Sequence, residues 1–205
     1  MSFDMINPNK DNYLNSKQGG SKIIVVGKPG TGKSTLLKAL LYNKRDVIPL
    51  GIVISGSESA NQFYKEFFPE LFIYNEYSEE IITRFLHRQL LAIKLMNEES
   101  KWATLILDDC TDDTSIFKKS LQQNIFKNGR HYKMLYILSL QYALDIPPQI
   151  RTNVDGVFIF RETNLETLKK IWINYAGIIP TFEMFKELMK MYTEDYQALY
   201  INNSI

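Results

Sequence analysis

Cysteine and histidine are almost missing from this chain. Among its 205 residues stand one cysteine, Cys110, and two histidines, His87 and His131. A single cysteine excludes an internal disulfide framework, and with so few partners no Cys/His zinc cluster can be assembled. Long apolar runs are missing too: none approaches the roughly 18 residues of a membrane-spanning helix. The opening stretch, MSFDMINPNKDNYLNSKQGG, lacks the basic and apolar regions of a signal peptide. A reducing, intracellular setting with no membrane span is therefore expected. Charge of one sign is not in excess either. Lys and Arg number 24 against 23 Asp and Glu, which excludes the strongly basic balance of a protein that coats nucleic acid but allows a local basic surface. The length suits one globular domain, and 45% hydrophobic residues suffice for a buried core.

Residues 1–20 are rich in Asn, Lys, Ser and Gln and end in Gly19-Gly20. They read as a flexible polar arm, either a frayed tail or a segment that docks on a neighbouring subunit. Residues 21–205 read as one domain, without an internal repeat or low-complexity linker. Short β-branched or apolar runs at 23–26, 50–54, 71–74, 104–107, 134–140 and 154–160 predict strands, most of them buried on both faces. Helices are predicted over 34–42, 57–67, 79–97, 112–127, 165–175 and 182–191, and a last short strand over 197–201. In the 79–97 helix, Ile82, Phe85, Leu86, Leu90, Ile93 and Leu95 are the candidate apolar face. Alternating strands and helices predict an α/β fold, a mostly parallel central sheet with helices on both faces.

Gly27-Lys28-Pro29-Gly30-Thr31-Gly32-Lys33-Ser34 satisfies G-x-x-x-x-G-K-[ST] at every fixed position, between a predicted strand and a predicted helix. Glycine leaves the backbone unhindered, so successive N–H groups can turn inward around a phosphate. Lys33 is placed to reach the β- and γ-phosphates, Ser34 to ligate Mg²⁺, and the helix N-terminus adds a positive dipole. Residues Gly27 to Ser34, with Thr35 next on the helix, are the candidate nucleotide site of a P-loop NTPase.

Thr104-Leu105-Ile106-Leu107-Asp108-Asp109 is an apolar strand ending in two carboxylates. In a phosphate-loop protein the first, Asp108, is expected to hold Mg²⁺. The second, Asp109, is expected to orient or deprotonate a water that attacks the γ-phosphate. Asp112 and Asp113 read as helix-start carboxylates. Gln141 ends another apolar strand, where its amide can bond both γ-phosphate and water. Lysine, paired aspartates and glutamine in this order favour hydrolysis over binding alone. Asn43-Lys44-Arg45-Asp46 spells the N-K-x-D of guanine-specific GTPases, but it follows the first helix, ahead of Asp108, where guanine recognition needs it late. ATP is therefore expected rather than GTP.

Four stretches, GKPGTGKST at 27–35, LILDDC at 105–110, NGRHYK at 128–133, and SLQY with IRTNVDGVFIF across 139–160, resemble the genome-packaging ATPases of nucleocytoplasmic large DNA viruses and their relatives. That group belongs to the FtsK–HerA superfamily. The resemblance spans about residues 21–175; the last 30 residues match no motif. It implies a RecA-like core with the Gln141 strand between the phosphate-loop and Asp108 strands. It implies a homo-oligomeric ring with ATP at each interface, driving double-stranded DNA into a preformed capsid. A capsid or portal-vertex protein would be a further partner, and the place of action would be the host cytoplasm at the assembly site, or the virion. Arg130 falls where the superfamily places an arginine acting on a neighbour's ATP; Arg151, after Pro147-Pro148, is its rival. Two departures stand out. The chain shows neither the FtsK membrane anchor nor the HerA β-barrel, and Asp109 stands where many relatives have Glu. Lys118, Lys119, Lys127, Arg130, His131 and Lys133 are the candidate basic surface for DNA phosphates. A nucleotide or polynucleotide kinase is the competing enzyme class; it would want an Arg-bearing lid and an acceptor pocket. A non-catalytic nucleotide switch is the third reading.

Overall fold

The computed structural model of the chain describes residues 20–97, 101–110 and 113–203. The polar arm read at 1–20 lies, but for Gly20, outside the described residues, as does Asp112. Seven strands among the described residues form one sheet: β1 (Lys22–Val26), β2 (Leu50–Ser55), β3 (Ile73–Tyr74), β4 (Ala103–Asp108), β5 (Met134–Leu140), β6 (Gly156–Phe160) and β7 (Ala198–Asn202). Their order is β3-β2-β4-β5-β1-β6-β7. Every pairing is parallel except that of β6 with β7. The Gln141-bearing strand, β5, thus lies between β1 and β4, as the resemblance implied.

Strand residues alternate between two cores, because successive side chains point to opposite faces. Ile24 and Val26 of β1, Leu105 and Leu107 of β4, and Tyr136 and Leu138 of β5 join one core. Ile23 and Val25, Ile106, and Leu135 and Ile137 of the same strands join the other. The second core is covered by α1 (Lys33–Lys44), through Leu37 and Leu40. The first is covered by α3 (Glu79–Leu95), α4 (Ser120–Asn128), α5 (Pro148–Arg151), α6 (Leu165–Tyr175) and α7 (Phe182–Tyr192). The expected α/β sheet with helices on both faces is present. No helix among the described residues is long and apolar enough to cross a membrane.

Four local expectations change. The helix expected over 57–67 is a short α2 (Glu58–Asn61), then Gln62 in the left-handed region at φ 50°, then a 3₁₀ turn at Tyr64–Glu66. The cause is the buried Glu58 carboxylate, which accepts the backbone N–H groups of Tyr64 and Lys65, each at 3.0 Å. The strand expected over 71–74 begins as a 3₁₀ turn (Glu70–Phe72), leaving two residues for the sheet edge. The helix expected over 112–127 is split into a 3₁₀ turn (Thr114–Lys118) and α4 by Lys119, whose ψ of 149° is extended. Helix α5 was not foreseen.

The apolar face of α3 also differs. Ile82, Phe85 and Leu86 are buried, but Leu90 and Leu95 are exposed, and the buried line continues through Gln89 and Ala92. Gln89 replaces apolar packing with two hydrogen bonds: its Nε2 donates to the carbonyls of Lys101 and Tyr132, both at 3.0 Å. These bonds tie α3 to the segments that lead into β4 and β5. Substitution Gln89→Ala should leave two carbonyls short of a donor and lower stability by about 1–3 kcal/mol. Urea unfolding of the two proteins measures it.

Candidate active site

A parallel sheet delivers the carboxyl ends of β1, β5 and β4 to one edge. The register sets them level: Val26 pairs with Leu140, and Asp108 with Ser139. The residues that follow, Gly27, Gln141 and Asp109, therefore meet at that edge. Neighbouring strands lie about 4.8 Å apart, so the Gln141 position falls between the loop after β1 and the carboxylates after β4.

The loop from Gly27 to Gly32 is closed by its own bonds. The Gly27 N–H donates to the Leu140 carbonyl at 3.1 Å, and the Thr31 hydroxyl to the Lys28 carbonyl at 2.7 Å. Gly30 (φ 75°) and Gly32 (φ 103°) stand in the left-handed region, where a Cβ would be strained. Space beside Gly30 is open: a methyl group there would meet no atom within 4 Å. The first turn of α1 has no side-chain cap and no acidic residue. Its N–H groups are left for an anion, the arrangement that binds phosphate at a helix N-terminus. Lys33 folds inward, donating from Nζ to the carbonyls of Gly27 at 2.6 Å and Lys28 at 3.1 Å. Burial lowers its pKa, opposed by the charges of Asp108 and Asp109.

Asp108 is buried at the end of β4. Burial raises its pKa, and a hydrogen bond from the Tyr64 hydroxyl to Oδ2 at 2.8 Å opposes the rise. Tyr64 is itself buried, on the segment bent by Glu58. Asp109 stands in the left-handed region at φ 54°, a conformation that Asp tolerates better than most residues. Its Oδ1 accepts a hydrogen bond from Gln141 Nε2. Cys110, beside this pair, donates from Sγ to the Ile54 carbonyl at 3.3 Å, and burial pushes its pKa up to about 12. At neutral pH it is a thiol, without nucleophilic character.

These residues fit a nucleotide with a hard divalent ion. Ser34 and Asp108 could hold Mg²⁺, which takes one or two protein oxygens and fills the rest with phosphate and water. Among the described residues no three His, Cys, Asp or Glu side chains are grouped to hold a metal ion by themselves. The N-K-x-D stretch, residues 43–46, sits at the far end of the 12-residue α1, about 18 Å along the helix axis from the loop.

Arg130 lies at the opposite edge of the sheet, in the 3₁₀ turn (Gly129–Tyr132) before β5. Seven strand residues, about 23 Å, separate it from Gln141. Its Nη2 bonds Asp155 Oδ1 at 2.6 Å, while Lys22 Nζ lies 3.3 Å from the other oxygen. Arg151 is held by the Ile146 carbonyl at 2.7 Å. The basic surface divides: Lys119 pairs with Glu79 at 2.7 Å and Lys133 lies over the Trp102 ring, while Lys118, Lys127 and His131 are exposed.

Three residues at the site escaped the sequence reading. Tyr64 and Glu58 support Asp108 from β2's side, and no spacing announces them. Glu162 follows β6 and grips Lys28 of the loop at 2.7 Å. A carboxylate just past an apolar strand, as at Asp108, was the signal available for it.

Residues 16–128, over half of the chain, match the AAA domain family. The chain is 60% identical over 201 residues to uncharacterized protein 075L of Invertebrate iridescent virus 6, covering 98% of this chain and 77% of that protein. It is 50% identical over 203 residues to uncharacterized protein 088R of Invertebrate iridescent virus 3, with 99% and 77% covered. Its fold is similar to that of the genome packaging NTPase B204 from Sulfolobus turreted icosahedral virus 2 in complex with ATP-gammaS. The TM-score is 0.60 at 18% identity, over 97% of this chain and 95% of that one. The chain belongs to the AAA domain family and is a P-loop ATPase.

Removing the loop ammonium takes a fixed positive charge from the transferring phosphate. Lys33→Ala should reduce phosphate release from ATP by about 10²–10³ or more, with the fold retained by circular dichroism.

Proposed function

We propose that this ATPase is the subunit of a ring motor that drives double-stranded DNA into a preformed viral capsid. The observation that carries the reading is the Asp109–Gln141 hydrogen bond beside the phosphate loop, in a chain that shares nearly its whole fold with a genome packaging NTPase. Similarity to proteins of two iridescent viruses supports a role in a large DNA virus, at the assembly site in the host cytoplasm or in the virion. The ATPase domain is residues 21–205, and residues 1–20 are a polar arm ahead of it.

On this reading each side chain at the sheet edge has a part in the chemistry. Gly27 to Ser34 and Thr35 receive the phosphates of ATP, with Lys33 on the β- and γ-phosphates. Ser34 and Asp108 would hold Mg²⁺, which would supply positive charge against the phosphates. Asp109 orients a water and takes its proton as the water oxygen bonds to the γ-phosphorus. The bond from that phosphorus to the bridging oxygen breaks, leaving ADP and phosphate. Gln141, bonded to Asp109, senses the γ-phosphate. A water-directed carboxylate–amide pair supports hydrolysis over a kinase's transfer to a bound acceptor.

A motor that passes any sequence should grip phosphates. Duplex DNA should therefore stimulate phosphate release without sequence preference, and the stimulation should fall steeply as salt rises. Equal rates with and without DNA at every salt concentration, in a verified oligomer, would overturn the motor reading.

On this reading Arg130 serves the ATP of the neighbouring subunit. It stands at the wrong edge to reach its own phosphate loop, and the buried Asp155 carboxylate fixes its direction. Trans-acting arginines contribute about 10³–10⁵ in rate in related hydrolases. Mixing two inactive variants, Lys33→Ala and Arg130→Ala, should restore part of the activity, because some interfaces pair an intact loop with an intact arginine. No recovery in rings shown to be mixed, with Arg130→Ala alone fully active, would transfer the role to Arg151.

A further inference from the structure

The last thirty residues matched no motif, yet they return to the phosphate loop. After α7 the chain makes a tight turn and enters β7 beside β6. The turn is well anchored. The buried Thr193 hydroxyl donates to the Met189 carbonyl, the Gln197 N–H donates to the Glu194 carbonyl at 2.9 Å, and Glu194 lies 3.8 Å from Arg161 at the end of β6. At its tip Asp195 (φ 49°) and Tyr196 (φ 62°) stand consecutively in the left-handed region. For a bulky aromatic this is a costly backbone, held only where the surroundings dictate it, and such residues gather at ligand clamps.

The turn aims Tyr196 at the loop. Its Cβ lies 3.4 Å, and its Cδ1 3.5 Å, from the point where Gly32 would carry a Cβ. Despite that contact the side chain is 76% exposed. Among the described residues the Tyr196 hydroxyl has no hydrogen-bond partner and the ring no aromatic partner. A large aromatic left open beside a phosphate loop has a face to offer.

The strand order says which part of a nucleotide would meet it. Groups that address the γ-phosphate, Asp108, Asp109 and Gln141, follow β4 and β5 on one side of β1. Tyr196 enters β7, on the other side of β1 beyond β6. A triphosphate laid along the loop with its γ end toward β4 and β5 directs its nucleoside toward β6 and β7. We propose that the Tyr196 ring is the platform on which the nucleotide base stacks. The inference rests on the reading of residues 27–35 as a nucleotide site. It gives the C-terminal turn a part in holding ATP, through a π-face that accepts any base.

Calorimetry separates stacking from phosphate binding. The proteins are wild type, Tyr196→Gly, which removes the ring while suiting the left-handed backbone, and Tyr196→Phe, which keeps it. The ligands are Mg·ATP and Mg·tripolyphosphate, which has the phosphates without a base. Tyr196→Gly should weaken ATP about tenfold to a hundredfold and leave tripolyphosphate unchanged, while Tyr196→Phe binds both as wild type does. Unchanged ATP affinity in Tyr196→Gly would overturn the proposal. Equal losses for ATP and tripolyphosphate would overturn it too, since the ring would then only prop the loop. Failure of wild type to bind either ligand would instead sink the nucleotide-site reading itself.

Discussion

Everything at this site depends on the parallel pairing of β1, β5 and β4. Parallel strands end on the same edge, so three segments far apart in sequence deliver a loop, an amide and two carboxylates within reach of one phosphate chain. The register is held by burial on both faces: a slip of one residue would exchange the two cores, moving Ile23 and Val25 into the place of Ile24 and Val26. The geometry of the candidate site and the packing of the core are therefore one constraint. The same constraint explains Gln89, a polar residue in the core. Its bonds to Lys101 and Tyr132 anchor the two segments from which β4 and β5 start, and so set where those strands finish.

Asp108 shows what positioning costs. A carboxylate buried at a strand end is desolvated, and its pKa rises accordingly. The structure offsets this with Tyr64, whose hydroxyl reaches the carboxylate from the core on Asp108's own side of the sheet, the one that holds Ile106 and Leu37. Tyr64 can do so because Glu58 bends the chain ahead of it. A continuous helix over 57–67 would be better local structure, but it would not send the Tyr64 ring to the end of β4. Tertiary demand for a donor at Asp108 has overridden helix propensity here, which is why the sequence pattern misled.

Much of the fold was legible because its signals are dense and local. β5 runs from Met134 to Leu140 and α6 from Leu165 to Tyr175, as their apolar patterns indicate. The phosphate loop is legible because its chemistry demands glycine and lysine at fixed spacing, and Asp108 and Asp109 because charge at the end of an apolar strand is conspicuous. What was illegible depends on pairings between distant residues. Nothing near Lys119 announces that its extended backbone will break a helix, and nothing near Tyr196 places it beside Gly32. The face of α3 was misjudged at Leu90 and Leu95 because leucine reads as core, while a glutamine with two buried carbonyls to satisfy reads as surface.

The two edges of the sheet divide the remaining chemistry. At one edge stand the loop, Asp109 and Gln141; at the other, more than about twenty ångströms away by strand length, Arg130 is clasped to Asp155 beside Lys22. One aspartate facing two cations leaves a net positive charge at that edge, and the half-exposed guanidinium keeps part of its donor fork open. Within a single chain no motion short of dismantling β5 could bring Arg130 to its own γ-phosphate. On the proposed reading the arginine acts on another molecule's ATP, and the Asp155 clasp serves to aim it rather than to silence it. On the proposed motor reading, hydrolysis would wait on assembly, since the loop of one subunit would lack its arginine until a second subunit supplied it.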